Sequence, residues 1–187
     1  MRVLVGCEYS GVVRDAFLAR GHDAWSCDLL PTESRPDRHL QENVESVVVN
    51  CNFDLIILHP PCTALCVAGN RHYSETKERA EAISWTRALF RLAVARCDKV
   101  ALENPVGVLS SAWRPPDQYM QPWEYGHGET KKTGLWLHNL PPLQPTNIVE
   151  GREQRIWKMP PSPDRGKERS RFYPGIARAM AEQWAIS

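Results

Sequence analysis

A chain of 187 residues is long enough for one domain with a substantial core. Its 23 Lys and Arg against 22 Asp and Glu leave a formal net charge of +1, which neither demands nor excludes a nucleic-acid partner, so any basic surface must be local. The opening apolar run is too short for a signal peptide and no later stretch reaches a membrane-spanning length, so a soluble, cytoplasmic protein with no membrane partner is expected.

In chain order, "RVLVGC" is a short β-rich run, and "GVVRDAFLARGH" follows with Val12, Val13, Phe17 and Leu18 at helical spacing. "DAWSCDL" predicts a second strand and "FDLIILHP" a third. A long helix is expected over "SETKERAEAISWTRALFRLAVARC", with Ser74 as its cap and Ala80, Ile83, Leu89, Leu92 and Ala93 turned inward. "KVALENP" is again an apolar strand closed by proline. Nearly all-apolar strands alternating with helices indicate an α/β fold, a doubly wound, mostly parallel sheet covered on both faces. Beyond residue 105 prolines cluster, broken by one convincing strand, "TGLWLHNL". "PGIARAMAEQWAI", with Ile176, Ala177, Met180 and Trp184 on one face, predicts a closing amphipathic helix. The whole reads as a single domain, 1–187, with a loop-rich basic insertion at about 144–172.

Cys7, Cys27, Cys51, Cys62, Cys66 and Cys97 lack the spacing of a disulfide framework and are expected as free thiols. His59, Cys62, Cys66 and His72 lie close together, but without a CxxC or a second ligand pair no metal site is expected.

Ligands of doubly wound sheets gather at the carboxyl ends of the strands. The loops there are "GCEYSG", "DLLPTE", "HPPC" and "ENPVG", all polar or reactive. Gly6 and Gly11 flank a turn entering a helix and would let backbone amides approach a ligand. Asp28 ends the second strand, where an acid can reach ribose hydroxyls; a solvated or helix-capping acid suits the position as well. Cys62 follows two prolines at the end of a buried strand, and a thiol becomes a nucleophile where its thiolate is stabilised. Glu103 ends the next predicted strand, and a carboxyl group beside a thiol in a dry cleft can act as a proton donor.

"PPC" after a central strand and "EN" after the next resemble the two catalytic motifs of the DNA cytosine methyltransferases that modify carbon 5 of the base. "VLVGCEYSGVVRDAFLARGHDAWSCDL" is similar to that family's opening cofactor motif and second strand, and "YPGIARAMAEQWA" to its closing helix. The resemblance implies a Rossmann-like methyltransferase fold, Cys62 as the nucleophile that adds to carbon 6, Glu103 as the acid at ring nitrogen 3, and Asn104 as a support of the loop. It further implies a cofactor site from Gly6, Glu8, Tyr9, Ser10, Gly11, Asp28 and Pro60, with S-adenosyl-L-methionine as the donor. DNA would be gripped by Lys131, Lys132, Arg152, Arg155 and Arg171, with Trp157 stacking or wedging, and a flipped base costs a few kcal/mol to extrude.

Four features depart from the family's pattern. "ETKKTGLWL" stands where the family has Gln-x-Arg-x-Arg. The long target-recognition domain is absent, so recognition is relaxed or comes from a partner subunit or a second copy. Glu8 brings a charge into the cofactor loop, where a carboxylate suits the guanidine-like edge of a pterin; a folate donor, 5,10-methylenetetrahydrofolate, is the alternative that this residue raises. His59 stands where the family has a small residue, and the sequence gives it no role.

Overall fold

Seven strands form one sheet in the order β3-β2-β1-β4-β5-β7-β6. They are β1 (Arg2–Gly6), β2 (Asp23–Asp28), β3 (His39–Gln41), β4 (Leu55–Leu58), β5 (Val100–Pro105), β6 (Gln118–Met120) and β7 (Thr133–His138). The computed structural model describes residues 1–163 and 165–185, apart from the side chain of Trp157. All neighbouring strands run parallel except β7, which is antiparallel to both β5 and β6. The helices are α1 (Val12–Leu18), α2 (Val44–Asn50), α3 (Asn70–Tyr73), α4 (Lys77–Arg96), α5 (Leu109–Ala112), α6 (Arg155–Lys158), α7 (Arg165–Ser170) and α8 (Pro174–Gln183). This is a single-domain, doubly wound α/β fold.

The strands read as unbroken apolar runs because each has two dry faces. Val3, Val5, Leu55 and Ile57 pack with Val13 and Phe17 of α1 and Ile176, Ala177 and Met180 of α8. Leu4, Ile56 and Leu58 point the other way, against Val47 and Val48 of α2 and Leu89, Phe90 and Ala93 of α4. Fully burying each such side chain contributes about 1.5–3 kcal/mol, so the sheet's centre is its most stable part. Chain order reverses between β1 and β4, which makes that crevice the topological switch point where ligands collect.

Helix α4 starts later than the sequence suggests. Thr76 is its cap, the hydroxyl accepting from the Arg79 amide at 3.2 Å, and Glu75 just before it adopts φ 59°. Arg79, not Ala80, takes the first inward position, because its guanidinium Nε donates to the Ala64 carbonyl at 2.8 Å. Strands β3 and β6, at three residues each, and helix α2 carry too little periodicity to stand out in the sequence.

The turn into α1 depends on Gly11. It sits at φ +76°, and a Cβ there would lie 2.2 Å from Arg14 Nη2 and 2.8 Å from Ser34 Oγ. Arg14 is fully buried, with its guanidinium donating to Ser26 Oγ, to the Ser34 carbonyl and to Ser34 Oγ, so it cannot withdraw cheaply. Gly11→Ala is therefore expected to destabilise the fold by about 2–4 kcal/mol, read as a lower urea midpoint at unchanged slope.

The basic insertion does not stand apart. It pairs with the chain at residues 125 and 129 through the bridges Tyr125↔Asn147 and Glu129↔Glu153, then turns back over the strand-end loops. Lys167 of α7 meets Glu33 at 2.6 Å, and the Tyr9 hydroxyl lies 3.3 Å from Ser170 Oγ. The insertion thus roofs the crevice at the switch point.

Candidate active site

Two loops leave the sheet at the switch point, after β1 and after β4, and the His59 amide donates to the Gly6 carbonyl at 2.9 Å between them. The prolines that end β4 fix the backbone there. Asn104, next to the end of β5 and 1 % exposed, donates from Nδ2 to the Pro60 carbonyl at 2.9 Å, which ties the ends of β4 and β5 together. A second tie is main chain: the Val67 amide donates to the Val106 carbonyl at 3.1 Å and the Val108 amide to the Leu65 carbonyl at 2.9 Å. Gly107 permits this approach, since a Cβ there would stand 2.0 Å from the Leu65 carbonyl oxygen.

Strands β4 and β5 pair side by side up to Leu58 and Leu102, so Cys62 and Glu103 follow at the same edge of the sheet. His59 joins them, its Nδ1 lying 3.0 Å from Glu103 Oε2. At that distance one hydrogen is held between ring and carboxylate. Both side chains are only 11 % exposed. The ring packs edge-on against Phe172 of the insertion, centroids 4.8 Å apart, and its Nε2 is buried without a partner among the described residues. His59 therefore has a place in the site that its sequence position did not reveal.

The thiol chemistry differs from expectation. Cys62 is hydrogen-bonded to Cys66, which together with burial pushes its thiol up from the ordinary value. Cys66 moves the opposite way, lowered to about 6 by the hydrogen bond from Cys62, against the opposing effect of burial, and then by the amides of Gly69 and Ala68.

The cofactor loop also needs correction. Glu8 is 5 % exposed and turned inward, its carboxylate accepting from the amides of Val13 at 2.7 Å and Arg14 at 3.2 Å. It caps α1 from a distance. Burial pushes its carboxyl up, a push that nearby His59 and the two amides oppose. No free carboxylate edge remains for a pterin, so the residue that raised a folate donor does not present itself to one. Gly6 is required for packing, since a Cβ there would lie 2.6 Å from Val44 Cγ2. Ser10 Oγ sits 3.4 Å from both Glu8 Oε1 and the Val12 amide, and the Tyr9 carbonyl accepts from Glu33 N and Thr32 Oγ1. These residues shape the loop from inside.

A half-open cavity of about 110 Å³ lies beside them, lined by Cys7, Asp28, Leu29, Glu42, Asn43, Val44, Pro61 and Trp85. Asp28 Oδ1 accepts from the Leu30 amide at 2.9 Å. The expected cofactor residues other than Asp28 contribute little to this wall; Pro60 is buried and its neighbour Pro61 lines it instead. Trp85, from the middle of α4, could not be foreseen, because only the packing of α4 under the β4 loop brings it there. A larger, open hollow of about 680 Å³ lies at the opposite, amino-terminal edge of the sheet, away from these loops.

Most of the expected DNA-contacting cations have partners within the chain. Arg155 pairs with Glu129 at 2.8 Å, and Arg171 with Glu168 at 3.1 Å and Glu33 at 3.7 Å. Arg152 lies 3.9 Å over the ring of Trp123 and Lys132 4.2 Å over that of Tyr119. Lys131 donates to the Arg169 carbonyl at 2.9 Å. The side chain of Trp157 lies outside the described residues. Among those residues no group of three His, Cys, Asp or Glu side chains is placed to hold a metal, and no helix is long and apolar enough to cross a membrane.

No family model and no curated protein matches the chain. Solved structures do. A methyltransferase of Entamoeba histolytica, EhMeth, is similar at 13 % identity and a TM-score of 0.50, over 82 % of this chain and 57 % of that one. The S. pombe Dnmt2 methyltransferase is similar at 12 % identity and a TM-score of 0.47, over 84 % of this chain and 53 % of that one. This chain spans a little over half the length of either. At such identity the likeness is one of fold: the α/β sheet described above is a Rossmann-like, methyltransferase-type fold.

Proposed function

We propose that the protein methylates carbon 5 of cytosine in DNA. The observation that carries this reading is the placing of Cys62 and Glu103 at adjacent strand ends, tied together by Asn104 and Pro60. Carbon 5 of cytosine is a poor nucleophile. Addition of the Cys62 sulfur to carbon 6, with a proton from Glu103 at ring nitrogen 3, converts the ring to an enamine whose carbon 5 is electron-rich. The hydrogen held between Glu103 Oε2 and His59 Nδ1 is the proton that Glu103 would pass to nitrogen 3. Phe172 and the His59 ring form an apolar wall that keeps water from the reacting edge. Once carbon 5 carries its new group, transfer of the carbon 5 proton to a solvent water expels the Cys62 thiolate, and return of the nitrogen 3 proton to Glu103 restores the ring.

The cavity beside the β1 loop, at about 110 Å³, would take only one part of S-adenosyl-L-methionine, whose ribose hydroxyls Asp28 would hold beside the apolar side chains of Leu29, Val44 and Trp85. When bound, this donor supplies an electrophilic methyl group. The base must leave the duplex to reach Cys62, and Arg152, Arg155 and Arg171 at the rim, already holding internal partners, would exchange them for phosphates. DNA from cells expressing the protein, digested to nucleosides and read by mass spectrometry, is expected to contain cytosine heavier by one methyl group. DNA without modified cytosine overturns the reading, and methylated cytosine confined to RNA overturns its substrate.

A further inference from the structure

Resting on that reading, we propose that Tyr119 and Trp123, each lying under a cation, hold the nucleotides next to the extruded cytosine, so that the target strand is bound opened over more than one base. Strand β7 runs antiparallel to both of its neighbours, so β6 ends at the same edge of the sheet as β5. Gly134 pairs with Asn104 on one side and with Tyr119 on the other. Residues in register share a face, which puts Tyr119 on the face of Asn104 and about 10 Å from it, backbone to backbone. That span suits the next nucleotide along the strand rather than the target itself.

Tyr119 is 42 % exposed, while Met120 beside it is 1 % exposed, so its ring adds nothing to the core. The Lys132 ammonium lies over that ring, and the Lys132 carbonyl accepts from the Val106 amide at 3.3 Å, just past Glu103. A second stack of the same kind follows in the chain. Arg152 lies over the Trp123 ring and donates to the Val149 carbonyl at 2.9 Å, while the Val149 amide donates to the Trp123 carbonyl at 3.0 Å.

Charge sets these two cations apart from the other expected DNA contacts. Arg155 and Arg171 meet Glu129 and Glu33, whereas among the described residues neither Lys132 nor Arg152 meets a carboxylate. The acids nearby are already taken up: Asp117 pairs with Arg114 at 2.9 Å, and Glu124 accepts from the Gln121 amide at 2.6 Å. A ring under a cation that no acid neutralises is a platform for an unpaired nucleotide, since the base stacks on the ring as the cation moves to the phosphate. In a closed duplex the neighbouring bases cover both faces of each base. The rings therefore serve only a strand whose bases are unstacked.

Equilibrium binding of labelled DNA without a methyl donor tests this, with one sequence offered as single strand, as perfect duplex and as duplex mismatched on either side of the target cytosine. The wild type is expected to bind the single strand and the mismatched duplex about 10-fold tighter than the perfect duplex. Tyr119→Ala should weaken binding of those two about 10-fold and remove the preference, and Tyr119→Phe should keep it. Lys132→Gln and Arg152→Gln should each lower the slope of log affinity against log salt on the single strand by about 0.7, the share of one phosphate. Unchanged affinity in Tyr119→Ala, or an equal loss on all three DNAs, overturns the platform. Unchanged salt slopes overturn it too, whatever the fold of the alanine variant, and an RNA strand bound tighter than DNA through Tyr119 overturns DNA as the occupant. A preference for opened DNA without methylated cytosine in DNA digests sinks the cytosine reading and leaves the platform standing; methylated cytosine from an enzyme indifferent to opening does the reverse.

Discussion

Cys62→Ala is expected to abolish cytosine modification while leaving the fold intact. The first half follows from chemistry. Without a sulfur at carbon 6 the ring keeps its conjugation and carbon 5 never becomes electron-rich, so no other group at the site can supply a partial rate. The second half follows from position. Cys62 is half-buried on a loop, outside both core clusters, and the β4 end is held by Asn104 and the segment after Glu103. Loss of its hydrogen bond to Cys66 is expected to cost no more than about 1 kcal/mol. Nucleoside mass spectrometry with a thermal unfolding scan on the same preparation checks both halves. Residual methylation, at even a hundredth of the wild-type rate, would show that Cys62 is not the nucleophile.

Glu103→Gln is expected to lower the single-turnover rate by about 10²–10⁴-fold, the usual worth of a positioned acid. The amide preserves shape and can still meet His59 Nδ1, so the loop and the base remain in place. What it cannot do is transfer a proton to nitrogen 3. The loss should therefore fall on the chemical step and leave DNA affinity within about twofold, since a step lost only in the transition state lowers kcat and kcat/KM together. An equal loss in DNA affinity would instead make Glu103 a binding residue.

The centre of the sheet was legible because β1 and β4 are buried on both faces and carry nearly uninterrupted apolar runs, and β5 starts with one; β2 and β7 showed as shorter apolar or aromatic stretches. The proline-closed strand ends were legible for a related reason: "HPPC" and "ENP" each stop a strand where a side chain can be presented. The meaning of charges was not. Glu8 reads as a loop acid facing a ligand, yet it faces the amides of α1, because a helix start nearby offered donors at short range. The basic run of the insertion reads as a phosphate grip, and only the fold shows that Glu33, Glu129 and Glu168 have already met it. His59 acquires its role only from the register that sets β4 beside β5.

The central claim is that the Cys62 sulfur bonds to carbon 6 of cytosine during methyl transfer. Duplex DNA carrying 5-fluorocytosine tests this most directly, because fluorine cannot leave carbon 5 as the proton does and the enzyme stays attached. Incubated with S-adenosyl-L-methionine and digested for peptide mass spectrometry, the protein should yield a nucleotide adduct on the peptide containing Cys62, carrying one methyl group. Normal turnover of that DNA without an adduct, or an adduct on another residue, would contradict it.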